Sequence, residues 1–298
     1  MQAKNIIIAA LALALIIGIG FLLFKSGADT VVVVEDTPDK TTVAEVLPVE
    51  PDGGIGDGAE PSSDTTDQRG AESLIGYSVE GEEILAYHFG TGDREILLIG
   101  GVHGGYSPNT TDLANELVTY FKENGDTIPE NLLVTVIPNL NPDGTEKSGT
   151  AGRFNANNVD LNRNFDCEWS ATALWRSEEI SGGATAFSEQ EAQALRDYVV
   201  KYDPAAAIVW FSAEGKVYPS ACGGTPSKAS VELAATFASA AGYPAAAEFN
   251  AYAITGDMVN WMAKEGIPAI SVLLTNHQNT EWSKNEAGIK AVLSKYAE

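Results

Sequence analysis

The sequence predicts an α/β domain over residues 73–298, with a mixed central β-sheet flanked by helices, and three observations carry the prediction. Short apolar runs of strand length alternate with longer segments of helical periodicity. Four of the runs, 95–101, 132–138, 206–212 and 269–275, are nearly continuously apolar, as strands covered on both faces are. The two earliest runs, SLIGYSV and EEILAYHF, are separated by Glu80-Gly81 and read as an antiparallel hairpin.

Helical patterns fall between the strands, at 109–124, 188–201, 228–241, 256–264 and 284–296. The second opens on Ser188 with Glu191 three positions on, the spacing at which a serine hydroxyl and a glutamate carboxylate each satisfy a free N–H of the first turn. Asp257, after Gly256, reads as a helix N-terminal residue. In sheets of this kind ligands gather beyond the carboxyl ends of the strands, so the residues just after each strand are the candidates for function.

Upstream, Ile6 to Phe24 is an uncharged apolar stretch of about the length that crosses a bilayer as a helix. A signal peptide is the alternative, with Ser26-Gly27-Ala28 as a cleavage site, but the run exceeds the usual h-region and an uncleaved anchor over 1–28 is the favoured reading. Residues 29–72 are rich in Asp, Glu, Thr, Pro, Gly and Ser and carry charges of nearly one sign, so they read as an acidic tether. The domain is then expected outside the cytoplasm, held to the cell membrane by a single span, or secreted if the segment is cleaved.

With 41 acidic against 18 basic residues the formal charge is -23, which repels phosphate backbones and argues against nucleic acid as a partner. Two cysteines exclude a disulfide-dense scaffold and a four-cysteine metal site. The three histidines, His88, His103 and His277, limit any histidine-based metal centre.

The strand ends carry a recognisable series. Gly100-Gly101-Val102-His103-Gly104-Gly105 is followed by Asn141-Pro142-Asp143-Gly144, Arg153-Phe154-Asn155 and Asp160-Leu161-Asn162-Arg163-Asn164-Phe165. Then come Phe187-Ser188-Glu189-Gln190-Glu191, Ser212-Ala213-Glu214-Gly215, Tyr252 with Thr255-Gly256-Asp257, and Gly266-Ile267-Pro268. In this order they resemble the zinc carboxypeptidases, the carboxypeptidase A-like metallocarboxypeptidases, over nearly all of 73–298. The resemblance implies that family's fold and a zinc ion held by two histidines and a glutamate, with a bound water in an open position. It also implies a separate glutamate as general base and arginines that receive the oxyanion and the substrate's terminal carboxylate.

Position by position, the resemblance sets His103 as the first zinc ligand, but Ser107 stands in the region of the expected glutamate and Phe211 where the second histidine belongs. Leu273 occupies the position of the catalytic glutamate, before Thr275-Asn276-His277. The expectation is a dismantled centre, with zinc absent or weakly bound and a pseudoenzyme in place of a peptidase. The alternative is an active carboxypeptidase or murein peptide hydrolase with a rearranged site, in which His277 joins His103 with Glu214 or Asp257 as third ligand. A third is a purely structural domain.

On the binding side the resemblance sets Asn162 and Arg163 as the pair receiving a terminal carboxylate, Arg153 as an oxyanion residue and Tyr252 as the ring folding over the bound terminus. The expected ligand is a peptide, or cell-wall peptide, with a free carboxylate. Arg163 and Asn162 as mere loop braces is the competing reading. Asp143 and Asp160 are expected to fix loop backbones, His88 to be surface or packing, and Trp169, Trp175, Trp210 and Trp261 to be core. Cys167 and Cys222, both expected near the cleft rim, allow one disulfide or two buried thiols.

Overall fold

The computed structural model describes residues 69–298. The predicted membrane segment and most of the predicted linker lie outside the described residues. Among the described residues no helix is long and apolar enough to cross a membrane.

The predicted hairpin forms β1 (Glu72–Tyr77) and β2 (Glu83–Gly90), antiparallel as expected. The four apolar runs become β3 (Arg94–Ile99), β4 (Leu132–Ile137), β7 (Ala206–Ser212) and β9 (Ala269–Leu274). With β8 (Lys216–Pro219) they build one seven-stranded sheet in the order β1-β2-β4-β3-β7-β9-β8. The centre, β4-β3-β7-β9, is parallel and both margins are antiparallel, which is the mixed sheet the sequence predicts. A separate two-stranded ribbon joins β5 (Thr172–Trp175) and β6 (Glu178–Ser181).

The period of two along each central strand distributes its apolar residues to two cores. Ile96, Leu98, Ile208, Trp210, Ile270 and Val272 enter one core, with α1 (Pro108–Glu123), α4 (Lys228–Ala241) and α6 (Trp282–Ala297) over it. Leu97, Ile99, Val209 and Phe211 enter the other, covered by α3 (Gln190–Tyr202) and α5 (Met258–Lys264). One turn of helix, α2 (Pro142–Thr145), is capped by Asn141, whose side chain accepts from Gly144 N. The five long helical patterns thus match five helices, with ends differing by up to two residues.

The capping box does not form. Glu189, not Ser188, caps α3, and it does so without a side-chain bond. Ser188 Oγ instead accepts from Asn164 Nδ2 and donates to Glu189 Oε1, while Glu191 accepts from Asn155 and Val79 N. Tertiary partners outcompete the local motif because these buried loops carry amide donors that need acceptors. Asp257 does cap α5, accepting from Asn260 N. His88 is buried and bonded to Thr135 and Ser73. Trp210, Trp261 and Trp175 are buried, whereas Trp169 is half-buried and donates to the Gly182 carbonyl.

Candidate functional site

The carboxyl ends of β3, β7 and β9 deliver the first residues of the site. After β3 the chain turns through Gly100-Gly101 and places His103 at the head of a 3-10 turn, Gly104–Tyr106. Gly104 has φ +32°, and a Cβ there would fall 2.5 Å from the Gly144 carbonyl carbon, so only glycine lets these two loops meet. Across the sheet, Phe211 pairs with Leu273 in the parallel register of β7 and β9. Two apolar side chains therefore stand side by side where the resemblance sets a histidine and a glutamate, and the His103 ring centroid lies 5.5 Å from that of Phe211.

Asp160 organises the polar part. It caps the 3-10 turn Leu161–Arg163 and is fully buried, so its carboxylate needs charge-assisted partners. Oδ1 accepts from Asn162 N at 3.0 Å and from His103 Nε2 at 3.2 Å. Oδ2 accepts from Arg153 Nε at 2.8 Å and lies 2.7 Å from Nη2 in the same ion pair. Arg153 Nη1 lies 3.4 Å from His103 Nδ1. A guanidinium only donates and a carboxylate only accepts, so this set of partners assigns the neutral tautomer, with the proton on Nε2 and the Nδ1 lone pair facing Arg153.

Electrostatics agree with that assignment. Burial, then the Arg153 charge, lower the His103 pKa to about 4. Burial alone would raise the Asp160 pKa, but Arg153, His103 and Arg163 hold it well below the usual carboxylate range. Arg153 is itself buried, with its guanidinium 4.8 Å from the Trp175 ring centroid and 5.7 Å from that of Tyr106.

A zinc ion requires side-chain lone pairs converging on one point. His103 offers one, on Nδ1, and Arg153 Nη1 already stands 3.4 Å from it. Phe211 and Leu273 have no donor atoms, and Ser107, 1% exposed, turns its hydroxyl to within 3.4 Å of His277 Nδ1. His277 rests on Tyr106, ring centroids 4.6 Å apart, and burial lowers its pKa. Glu214 pairs with Lys216 at 2.7 Å, and Asp257 is held by Asn162 and Asn260. Among the described residues no three His, Cys, Asp or Glu side chains are placed to hold a metal ion. The residues present do not fit zinc. The rearranged set of His103 and His277 with Glu214 or Asp257 is not found as a converging group among the described residues.

The predicted binding residues do come together. His103, Arg153, Asn162, Arg163, Tyr252, Phe211 and Leu273 all line one cavity of about 220 Å³. Arg163, 1% exposed, donates to the Leu174 carbonyl through Nε and Nη2 at 3.3 Å and to the Asn162 carbonyl through Nη1 at 2.6 Å. Part of its fork stays uncommitted. Asn162 donates to Asp257 Oδ2 at 2.8 Å and accepts from Met258 N at 3.1 Å. Both residues thus brace loops while lining the cavity. Tyr252 packs edge-on to Phe249, ring centroids 4.9 Å apart.

Cys167 and Cys222 are joined, so of the two alternatives open to the sequence the disulfide is the one formed. It ties the loop after Phe165 to the loop after β8, whose Ala221 and Gly224 line the cavity. Sequence reading missed the walls from Trp175, Tyr218, Glu248 and Phe249, which come from short or irregular segments with no periodic signal. It also underread Asp160, which fixes its loop as expected but anchors His103 and Arg153 as well.

The family profile described as zinc carboxypeptidase matches residues 67–293. Carboxypeptidase D of Anas platyrhynchos is 36% identical over 110 residues, which cover 30% of this chain and 8% of that protein. The chain therefore matches under a tenth of that relative's length. Among solved structures, bovine thrombin-activatable fibrinolysis inhibitor in complex with tick carboxypeptidase inhibitor superposes with a TM-score of 0.62 and 18% identity, over 76% of this chain and 88% of that one. Murein-tripeptide amidase MpaA from Escherichia coli O157 gives 0.54 and 18%, over 75% and 91%. At these identities the structures speak to the fold alone.

Proposed function

Because the chain belongs to the zinc carboxypeptidase family, we propose that it is a pseudoenzyme of that family which has kept a cavity for peptide carboxy termini and given up metal-dependent hydrolysis. The observation that carries the reading is the contrast within one cavity. Its metal side is built from Phe211, Leu273 and a His103 whose ring nitrogens are both engaged, while its binding side retains Arg163, Asn162, Arg153 and Tyr252. A guanidinium fork suits a carboxylate with no metal nearby.

A purely structural domain would have Phe211 and Leu273 packed on His103 and no cleft. Phe211 does pack there, yet a cavity of about 220 Å³ remains, which favours a receptor. The ligand class follows as a peptide with a free terminal carboxylate. A cell-wall peptide is the natural candidate for a domain on the outer side of a membrane, and the Cys167–Cys222 disulfide supports an oxidising compartment.

The test is calorimetry on the full-length protein with a tripeptide bearing a free carboxylate and with its amide. Binding of the acid, loss with the amide, and a weakening of about tenfold or more in Arg163→Met are expected, in line with a charge-assisted hydrogen bond. Equal affinity for acid and amide would sink the reading.

A further inference from the structure

We infer that His103, the residue at the family's metal-ligand position, is here a neutral hydrogen-bonding strut that fixes the Arg153 guanidinium in the cavity wall. The inference rests on the carboxylate-receptor reading for its ligand, and on the geometry of His103 alone for the strut.

Three observations carry it. First, the nitrogen of His103 not bonded to Asp160 faces a guanidinium, with Arg153 Nη1 3.4 Å from Nδ1. A cation already sits against the one lone pair the ring could offer a metal. Second, Arg153 is held from two sides, by Asp160 Oδ2 through Nε and Nη2 and by His103 through Nη1, with Trp175 and Tyr106 flanking the guanidinium. A long side chain 4% exposed and bonded in this way has lost most of its rotamer freedom before any ligand arrives. Third, His103, Arg153 and Arg163 line the same cavity, and Asp160 lies within electrostatic reach of both guanidiniums. Asp257 and Glu248 also line the cavity, but Asp257 is already held by Asn162 and Asn260, so the two guanidiniums at one wall make a site for an anion, and the terminal carboxylate of a peptide is the anion the cavity takes.

His103 is thus a positioning residue, acting on the ligand through Arg153. The roles separate by substitution. Glutamine at 103 keeps a carbonyl to accept from Arg153 and an amide to donate to Asp160, whereas leucine keeps neither, and neither is a histidine that could ligate zinc. The experiment measures binding of N-acetyl-trialanine and of its amide to the full-length protein by calorimetry, with and without a zinc chelator, for the parent, His103→Gln and His103→Leu. The parent and H103Q are expected to agree within about threefold and H103L to bind at least about tenfold more weakly, the loss typical of a disrupted charge-assisted network. None should respond to chelator. Parent-like binding by H103L would overturn the inference, as would an H103Q as weak as H103L together with chelator sensitivity in the parent.

A second measurement is independent of ligand, so a failure of the receptor reading remains distinguishable. Urea unfolding midpoints of H103L, Arg153→Lys and the double variant form a cycle in which a lysine keeps the charge but cannot span Asp160 and His103. Non-additive shifts are expected, and additive shifts would show that His103 does not hold Arg153. If the parent cannot tell acid from amide while the cycle is non-additive, the receptor reading falls and the strut stands.

Discussion

Asp160 accepts three hydrogen bonds and an ion pair inside the protein, and that one carboxylate decides what His103 can be. Because His103 is neutral when folded, with a pKa near 4 against 6.5 for a free histidine, the unfolded chain binds the extra proton between those values. Its contribution to stability is therefore fully present above about pH 6.5 and is lost as pH falls from 6.5 to about 4, an effect on the order of a few kcal/mol. His277 acts in the same direction, so the check is a comparison of urea midpoints for the parent and His103→Gln at pH 7 and near pH 4.5. A shallower loss in H103Q is expected, and equal slopes would show that His103 is not buried in neutral form. At this scale the sequence was readable where replacement was blunt, as at Phe211 and Leu273. It was not readable at Asp160, since an aspartate before Asn162 looks the same whether it caps a turn or anchors an arginine seven residues upstream.

At the scale of elements, the strand ends and the loops they feed explain why the cavity survives. Gly256 has φ +64°, and a Cβ there would lie 2.1 Å from the Arg163 carbonyl oxygen, so the loop carrying Tyr252 closes on the Arg163 turn only because residue 256 is glycine. Gly256→Ala should destabilise the protein by more than about 1 kcal/mol, through both the left-handed φ and the clash. It should also weaken peptide binding, which calorimetry and urea unfolding on the same variant would report together. Unchanged binding in a destabilised variant would mean that the Tyr252 loop takes no part in recognition. The long helices and central strands were legible because burial on both faces or on one stripe writes a clear period. β8, four residues ending in Pro219, and the β5-β6 ribbon were not, being too short for a period to show. The capping box at Ser188 failed for the converse reason, a clear local motif overruled by Asn164 and Asn155.

For the molecule as a whole, the sheet divides two cores and leaves its carboxyl edge to the cavity, and the disulfide closes a loop of 55 residues around that edge. Replacing both Cys167 and Cys222 by serine should lower stability by about 2–4 kcal/mol on the chain-entropy account. An unchanged urea midpoint would assign the bridge no role in holding the rim. The net charge of -23 repels anionic peptides at long range, so carboxylate recognition has to come from the local guanidiniums. The central claim is that this family member reads a carboxylate without a metal, and one measurement on one sample tests it most directly. The full-length protein is exposed to zinc, desalted, analysed for metal, and titrated with N-acetyl-trialanine. Sub-stoichiometric zinc together with carboxylate-dependent binding is the predicted result, whereas one zinc per chain that disappears in His103→Ala, with binding that disappears alongside it, would contradict the account.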